Sequence, residues 1–225
     1  MIRLIIFDCD GVLVDSEPIA MRVLLETLGA QGLAVDRATA YESFLGRSLT
    51  TVRNALRDAH QLELDDEALQ AMRDRLFTAF RAELQPTPHV GDIVQRLHAS
   101  HQVCVASSSQ PERVRLSLRL TGLSELFAER IFSATEVAKG KPAPDLFLHA
   151  AAQCDIAPED CLVIEDSPAG VAAARAAGMR VFAYQGGAHI AEGDLRASVE
   201  AAGPDRMFDD MRDLPALIAG AGLPQ

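Results

Sequence analysis

Leu4-Ile5-Ile6-Phe7-Asp8-Cys9-Asp10-Gly11-Val12-Leu13-Val14-Asp15 is the stretch on which the fold turns. Residues 2–7 form a short apolar run that stops at an Asp/Gly cluster, the pattern of a buried strand. Similar runs occupy 102–106, 161–164 and 179–183, each followed by polar or small residues and most by a helical pattern. Such alternation predicts an α/β fold, a parallel sheet with helices on both faces. Helix starts are marked as well. Ser109 and Glu112 have capping-box spacing, Ser167-Pro168 sets a hydroxyl before a first-turn proline, and Gly178 closes the Ala-rich helix expected over 168–177.

Residues 17–84 read differently. Met21, Leu24, Leu25 and Leu28 follow helical spacing, as do Leu49, Val52 and Leu56, then Leu69, Met72 and Leu76. No strand candidate interrupts them, so an all-helical block is expected as an insertion into the α/β core. Asp15-Ser16-Glu17-Pro18 marks its start and Gln85-Pro86-Thr87-Pro88 its end. The expected division is a core of 1–15 and 88–225 and a helical cap of 16–87, with proline-stiffened crossings as hinges.

Composition narrows the function classes. The 225 residues are 48% hydrophobic and 24% charged, which suits a globular chain with a sizeable core. Aromatics make up 5% and Trp is absent, so that core is built from Ala, Val, Leu and Ile. Twenty-one basic against 32 acidic residues give a net charge of −11, which repels phosphate backbones and anionic membranes. Residues 1–8 meet an acid too soon for a signal peptide, and no apolar run approaches the roughly 18 residues that cross a bilayer. Cys9, Cys104, Cys154 and Cys161 lack paired spacing and read as small buried hydrophobes in a reduced compartment. A cytoplasmic protein is expected, with a monomer as the default state.

The chemistry lies at the strand ends. Two carboxylates directly after a buried strand are costly unless a cation partners them. The two-residue spacing points Asp8 and Asp10 the same way if the chain stays extended, and Gly11 lets the backbone turn at once. Ser107-Ser108-Ser109 follows the second run and offers hydroxyls and N–H groups at a helix start. Glu165-Asp166 follows the third run, and Lys141 is followed by Pro142 and Pro144 just before a helix. Carboxylates, hydroxyls and a lysine on one sheet edge suit a hard cation plus a phosphoryl group.

Asp8-x-Asp10-Gly11, Ser107, Lys141 and Glu165-Asp166 resemble, in order and spacing, the four motifs of the haloacid dehalogenase superfamily. The likeness spans nearly the whole chain and extends to the helical insert, which is similar to the C1 cap of subclass I. Residues 8–17 and 141–147 resemble the branch of beta-phosphoglucomutase-like enzymes and small sugar phosphatases. The resemblance implies a Rossmann-like core, an Asp8 nucleophile that forms an aspartyl-phosphate, and Asp10 as general acid and then base. It implies Mg²⁺ on the Asp8 carboxylate, the Asp10 carbonyl and Asp166, with Glu165 acting through a water. Ser107 and Ser108 would hold the phosphoryl group and Lys141 would neutralise the nucleophile.

Several readings compete. Carbon–halogen displacement has no alkoxide to protonate and needs no Mg²⁺, so Asp10 and Glu165-Asp166 would be surplus in a dehalogenase. A binding-only relative could dispense with Asp8 or Asp10, yet both are present. The mutase branch carries a cap histidine where this chain has Ala20, which favours water as acceptor. Phe44-Leu45-Gly46-Arg47-Ser48 resembles the branch's specificity loop, with Gly46 allowing close approach and Arg47 contacting the substrate. The same stretch also reads as a helix end followed by a solvated arginine. The expected function is a Mg²⁺-dependent phosphatase for a small phosphorylated metabolite, such as a sugar, polyol or hydroxy-acid phosphate, with a phosphosugar mutase as the alternative.

Overall fold

The apolar runs pair as one parallel sheet of six strands: β1 (Leu4–Phe7), β2 (Gln102–Ser107), β3 (Ile131–Ser133), β4 (Cys161–Glu165), β5 (Arg180–Tyr184) and β6 (Arg206–Phe208). Their order across the sheet is β3-β2-β1-β4-β5-β6. The computed structural model describes residues 1–45, 47, 49–193 and 195–221, Glu192 by its backbone alone. In the register, Ile5 stands between Val103 on β2 and Leu162 on β4.

Among the described residues twelve α-helices follow the strands: α1 (Glu17–Ala30), α2 (Arg37–Phe44), α3 (Leu49–His60), α4 (Asp66–Glu83), α5 (Val90–Leu97), α6 (Pro111–Leu120), α7 (Ser124–Phe127), α8 (Asp145–Gln153), α9 (Pro168–Ala176), α10 (Ala188–Glu192), α11 (Arg196–Ala201) and α12 (Leu214–Ala221). Residue parity along the strands divides the core, because successive side chains point to opposite faces. Ile5, Phe7, Val103, Val105, Leu162 and Ile164 join residues of α5, α6, α7 and α12 on one face. Leu4, Ile6, Cys104, Ala106, Cys161 and Val163 join α8, α9 and α11 on the other. The central strands are buried on both sides, so they read as unbroken apolar runs rather than alternating ones. Burying one such Ile or Phe contributes about 1.5–3 kcal/mol. A charge at Ile6 would leave that face with an unpaired buried ion.

Helices α1–α4 lie between β1 and β2 and build a third cluster, with Met21, Leu28, Tyr41, Phe44, Val52 and Leu56 at its centre. Other residues of the same helices, Ile19, Val23, Leu76 and Phe80, pack on the core cluster instead. The two crossings run side by side: Asp15 N–H donates to the Gln85 carbonyl at 3.0 Å and Thr87 N–H to the Leu13 carbonyl at 3.0 Å. Among the described residues no helix is long and apolar enough to cross a membrane. All four cysteines are buried and unpaired.

Two local expectations are answered differently. The Ser167 hydroxyl caps α9 as expected, accepting from the Gly170 N–H at 3.1 Å, and Gly178 takes a φ of 72° past the helix end. Ser109, by contrast, does not cap α6. Gln110 is the residue before that helix, and the Ser109 hydroxyl turns to a carboxylate of the site instead.

Candidate active site

Strands β1, β2 and β4 end at one edge of the sheet, and chain order reverses between β1 and β4. Ligands bind in such a crevice because the loops on either side of it diverge. Asp8 follows β1 directly and is tied to β4 by its N–H, which donates to the Ile164 carbonyl at 2.9 Å. Ser107 ends β2 and Glu165 ends β4. Lys141 comes from the loop before α8 and reaches between two strand ends. Its Nζ lies 2.6 Å from Asp8 Oδ1 and 2.5 Å from Glu165 Oε1, with all three side chains buried.

The rest of Glu165 is held from β4's own continuation. Its Oε2 accepts from the Asp166 and Ser167 N–H groups, each at 2.8 Å, and from the Ser167 hydroxyl at 3.0 Å. A Cβ at Gly170 would run into this carboxylate, so the first turn of α9 needs glycine there. Gly11 has a φ of 80°, and a side chain on it would strike the Asp166 carboxylate. That glycine is how the loop after β1 comes against the loop after β4.

Oxygens of Asp8, Glu165 and Asp166 lie within 4.8 Å of one another. Burial and the neighbouring carboxylates push Asp8 well above the usual carboxylate range, with Lys141 opposing them. Burial and then Glu165 push Asp166 up as well. Burial acts on Glu165 in the same direction, but Lys141 and its N–H partners outweigh it and hold the carboxyl low. Three buried carboxylates face one lysine, so the set is short of positive charge. All-oxygen donors with that deficit fit a hard dication.

Asp10 has separate partners. Its Oδ1 accepts from the Ser16 hydroxyl at 2.6 Å and from Arg113 at 2.7 Å, and its Oδ2 accepts from the Ser109 hydroxyl at 2.6 Å. Burial would raise its pKa, but Arg113 and the two hydroxyls prevail and lower it. The Arg113 guanidinium in turn lies over the Phe80 ring of α4, 5.3 Å from its centre. Beside Asp10, buried Glu17 is pushed up to about 8, first by burial and then by the Asp10 charge.

Asp8, Asp10, Glu17, Ser107, Ser108 and Arg113 all line one cavity of about 190 Å³ between the sheet edge and helices α1, α3 and α4. Thus the structure brings Asp8, Asp10, Ser107 and Ser108 to one space, with Lys141, Glu165 and Asp166 directly behind Asp8. Arg47, between α2 and α3 in the chain, lines the cavity and is exposed, whereas Gly46 lies outside the described residues. Asp10's carboxylate is not in the Asp8–Glu165–Asp166 group, so any metal contact from it would fall to its backbone.

Two site residues escaped the sequence. Arg113 looks like Arg115 and Arg119 on the same helix, and only the fold singles it out. Fully buried His189, on α10, has Nε2 2.7 Å from Asp166 Oδ2. Neither its spacing nor its neighbours point to that contact.

A family model described as haloacid dehalogenase-like hydrolase matches residues 2–178. A 6-phosphogluconate phosphatase of Escherichia coli (strain K12) is 29% identical over 184 residues, covering 81% of this chain and 82% of its own. The fructose-1-phosphate phosphatase YqaB of the same organism is 33% identical over 180 residues, 78% of this chain and 92% of its own. Among solved structures, a conserved haloacid dehalogenase-like protein of unknown function from Agrobacterium tumefaciens str. C58 superposes with a TM-score of 0.81 at 33% identity. It covers 99% of this chain and 100% of its own.

Proposed function

Because the chain belongs to the haloacid dehalogenase-like hydrolase family, we propose that it is a Mg²⁺-dependent phosphatase for a small phosphate monoester, a sugar phosphate or a similar metabolite. One observation carries the reading: Asp8 opens to the cavity in front and is backed by Lys141, Glu165 and Asp166. The 6-phosphogluconate and fructose-1-phosphate phosphatases among its relatives support the same class.

Asp8 attacks phosphorus, the ester P–O bond breaks, and an aspartyl-phosphate forms with release of the alcohol. Lys141, ion-paired to Asp8, offsets the repulsion between two anions as they approach. Asp10 protonates the leaving oxygen and afterwards takes a proton from the water that attacks the aspartyl-phosphate. The products are alcohol and inorganic phosphate. With Arg113, Ser109 and Ser16 on it, Asp10 is held as the carboxylate, ready for the second half-reaction. An incoming phosphate dianion beside it raises its proton affinity for the first half. Ser107 and Ser108 receive the phosphoryl oxygens at the end of β2.

Asp8, Asp166 and, through a water, Glu165 would hold Mg²⁺, with the Asp10 carbonyl completing the set. That ion, when bound, would draw charge from the phosphoryl oxygens and the nucleophile. The helical block 16–87 serves as the cap, and the paired crossings at Asp15–Gln85 and Leu13–Thr87 are its hinges. Ala20 lines the cavity with no proton-handling group, which favours water over a second sugar hydroxyl as acceptor.

The test is phosphate release from acetyl phosphate and a panel of phosphorylated metabolites, with Mg²⁺ and with a chelator. Release with Mg²⁺ that stops on chelation is expected. A protein that frees no phosphate from any ester, or frees it equally with chelator, would contradict the proposal.

A further inference from the structure

The cavity in front of Asp8 has two chemically different sides. Its floor is polar: Asp8, Asp10, the 107–109 serines and Arg113. Its cap wall is apolar, built from Ala20 and Leu24 on α1, Leu49 on α3, and Leu69, Met72 and Phe77 on α4. All six are half-buried, so part of each side chain remains uncovered.

The wall is not simply the inside of the cap. Ala20, Met72 and Phe77 pack against the core cluster, while Leu24 and Leu69 pack against the cap cluster. It runs along the seam where neither cluster covers it. Polar groups on this side are few. Glu17 belongs to the floor beside Asp10. Arg73, which also lines the cavity, is engaged with Gln110 and, at 3.3 Å, with Glu112. Arg47 and Thr50 are exposed.

We infer that the leaving group of the physiological phosphate ester presents an alkyl, alicyclic or aryl face to this wall rather than a run of free hydroxyls. A hydroxyl pressed against aliphatic carbon loses its water partners and finds no replacement. An apolar face in the same place removes its own surface and the wall's from water together. The inference rests on the phosphatase reading, because the wall and Asp8 share one cavity, and among small phosphate monoesters it selects those with an apolar face over the free sugar phosphates.

Cyclohexylmethyl phosphate and glucose 6-phosphate make a matched pair, each a six-membered ring carrying a phosphorylated primary carbon. Acetyl phosphate, whose acetate leaving group has neither a ring nor a run of hydroxyls, reports phosphoryl transfer to Asp8 apart from the comparison of faces. The expected result is a kcat/KM for the cyclohexylmethyl ester higher by about tenfold or more, the range in which apolar pockets discriminate. Equal rates, or a preference for the sugar, with acetyl phosphate still hydrolysed, would overturn the apolar wall and leave the phosphatase reading standing. No release from acetyl phosphate would overturn both. Met72→Gln and Phe77→Gln should each shrink the ratio between the two ring esters. That ratio is measured within one protein sample, so partial unfolding cancels. A ratio unchanged in both variants would overturn the assignment of the wall.

Discussion

The sheet edge and the cap wall bound the same cavity but are built on opposite rules. At the edge, most charged groups are buried and paired: Lys141 with Asp8 and Glu165, Asp10 with Arg113 and two hydroxyls, Glu165 with two N–H groups. On the wall, aliphatic side chains stand half-covered and the cap's arginine Arg47 is exposed. The difference separates reaction from choice of substrate. Groups fixed by paired charges cannot change one at a time, since removing a partner strands a buried ion. Apolar positions of similar size exchange at small cost, so the wall is where specificity is free to vary.

That contrast can be broken at several points. Asp10→Asn should lower kcat by about 10²–10⁴-fold, the usual worth of a positioned acid–base group. Circular dichroism should show the fold retained, since the amide keeps the shape and the partly exposed Arg113 can be hydrated in place of its ion pair, and a rate within a few-fold of the parent would remove Asp10 from the chemistry. Lys141→Met leaves Asp8 and Glu165 facing each other without a cation. It should cost about 3–5 kcal/mol in urea denaturation of the metal-free protein. A loss comparable to that of Phe77→Gln on the wall would mean that the edge is no more interlocked than the cap.

A further test is a pH dependence. Glu17's pKa rises from 4.5 to about 8 on folding, so the native state takes up a proton between those values. The resulting stabilisation is full below the unfolded pKa and is lost as pH climbs to about 8. Glu17→Gln mimics the protonated form. In chelator, its melting temperature should gain on the parent's as pH rises from about 5 to about 9. Parallel curves would place Glu17 in a more hydrated setting than the structure does.

Much of this was legible in the chain, for reasons that differ by element. β1, β2, β4 and β5 are buried on both faces, so the continuous apolar run is their signature. β3 and β6 are three-residue edge strands with half-buried or charged positions, and Arg206-Met207-Phe208 carries no such run. Helix α2 buries only Ala40, Tyr41 and Phe44 and has little periodicity to read. The acids stand out because charges directly after buried strands carry a cost, and Lys141 because prolines follow it just ahead of a helix. Arg113 and His189 were missed because an arginine on a helix and a histidine after a glycine pair look ordinary until the fold brings them to Asp10 and Asp166. The Ser109 capping-box reading failed for a related reason. A charged acceptor, Asp10, outcompetes a helix N–H for the hydroxyl.

Asp8 is the group on which the edge, the cavity and the proposed chemistry all converge. The most direct measurement is the initial rate of phosphate release from acetyl phosphate by Asp8→Asn and by the parent, with Mg²⁺ and with folding checked by circular dichroism. A nucleophile at position 8 predicts a loss of more than about a thousandfold in a folded protein. A folded Asp8→Asn variant that works within about tenfold of the parent would contradict it, because an amide in that place cannot form the aspartyl-phosphate.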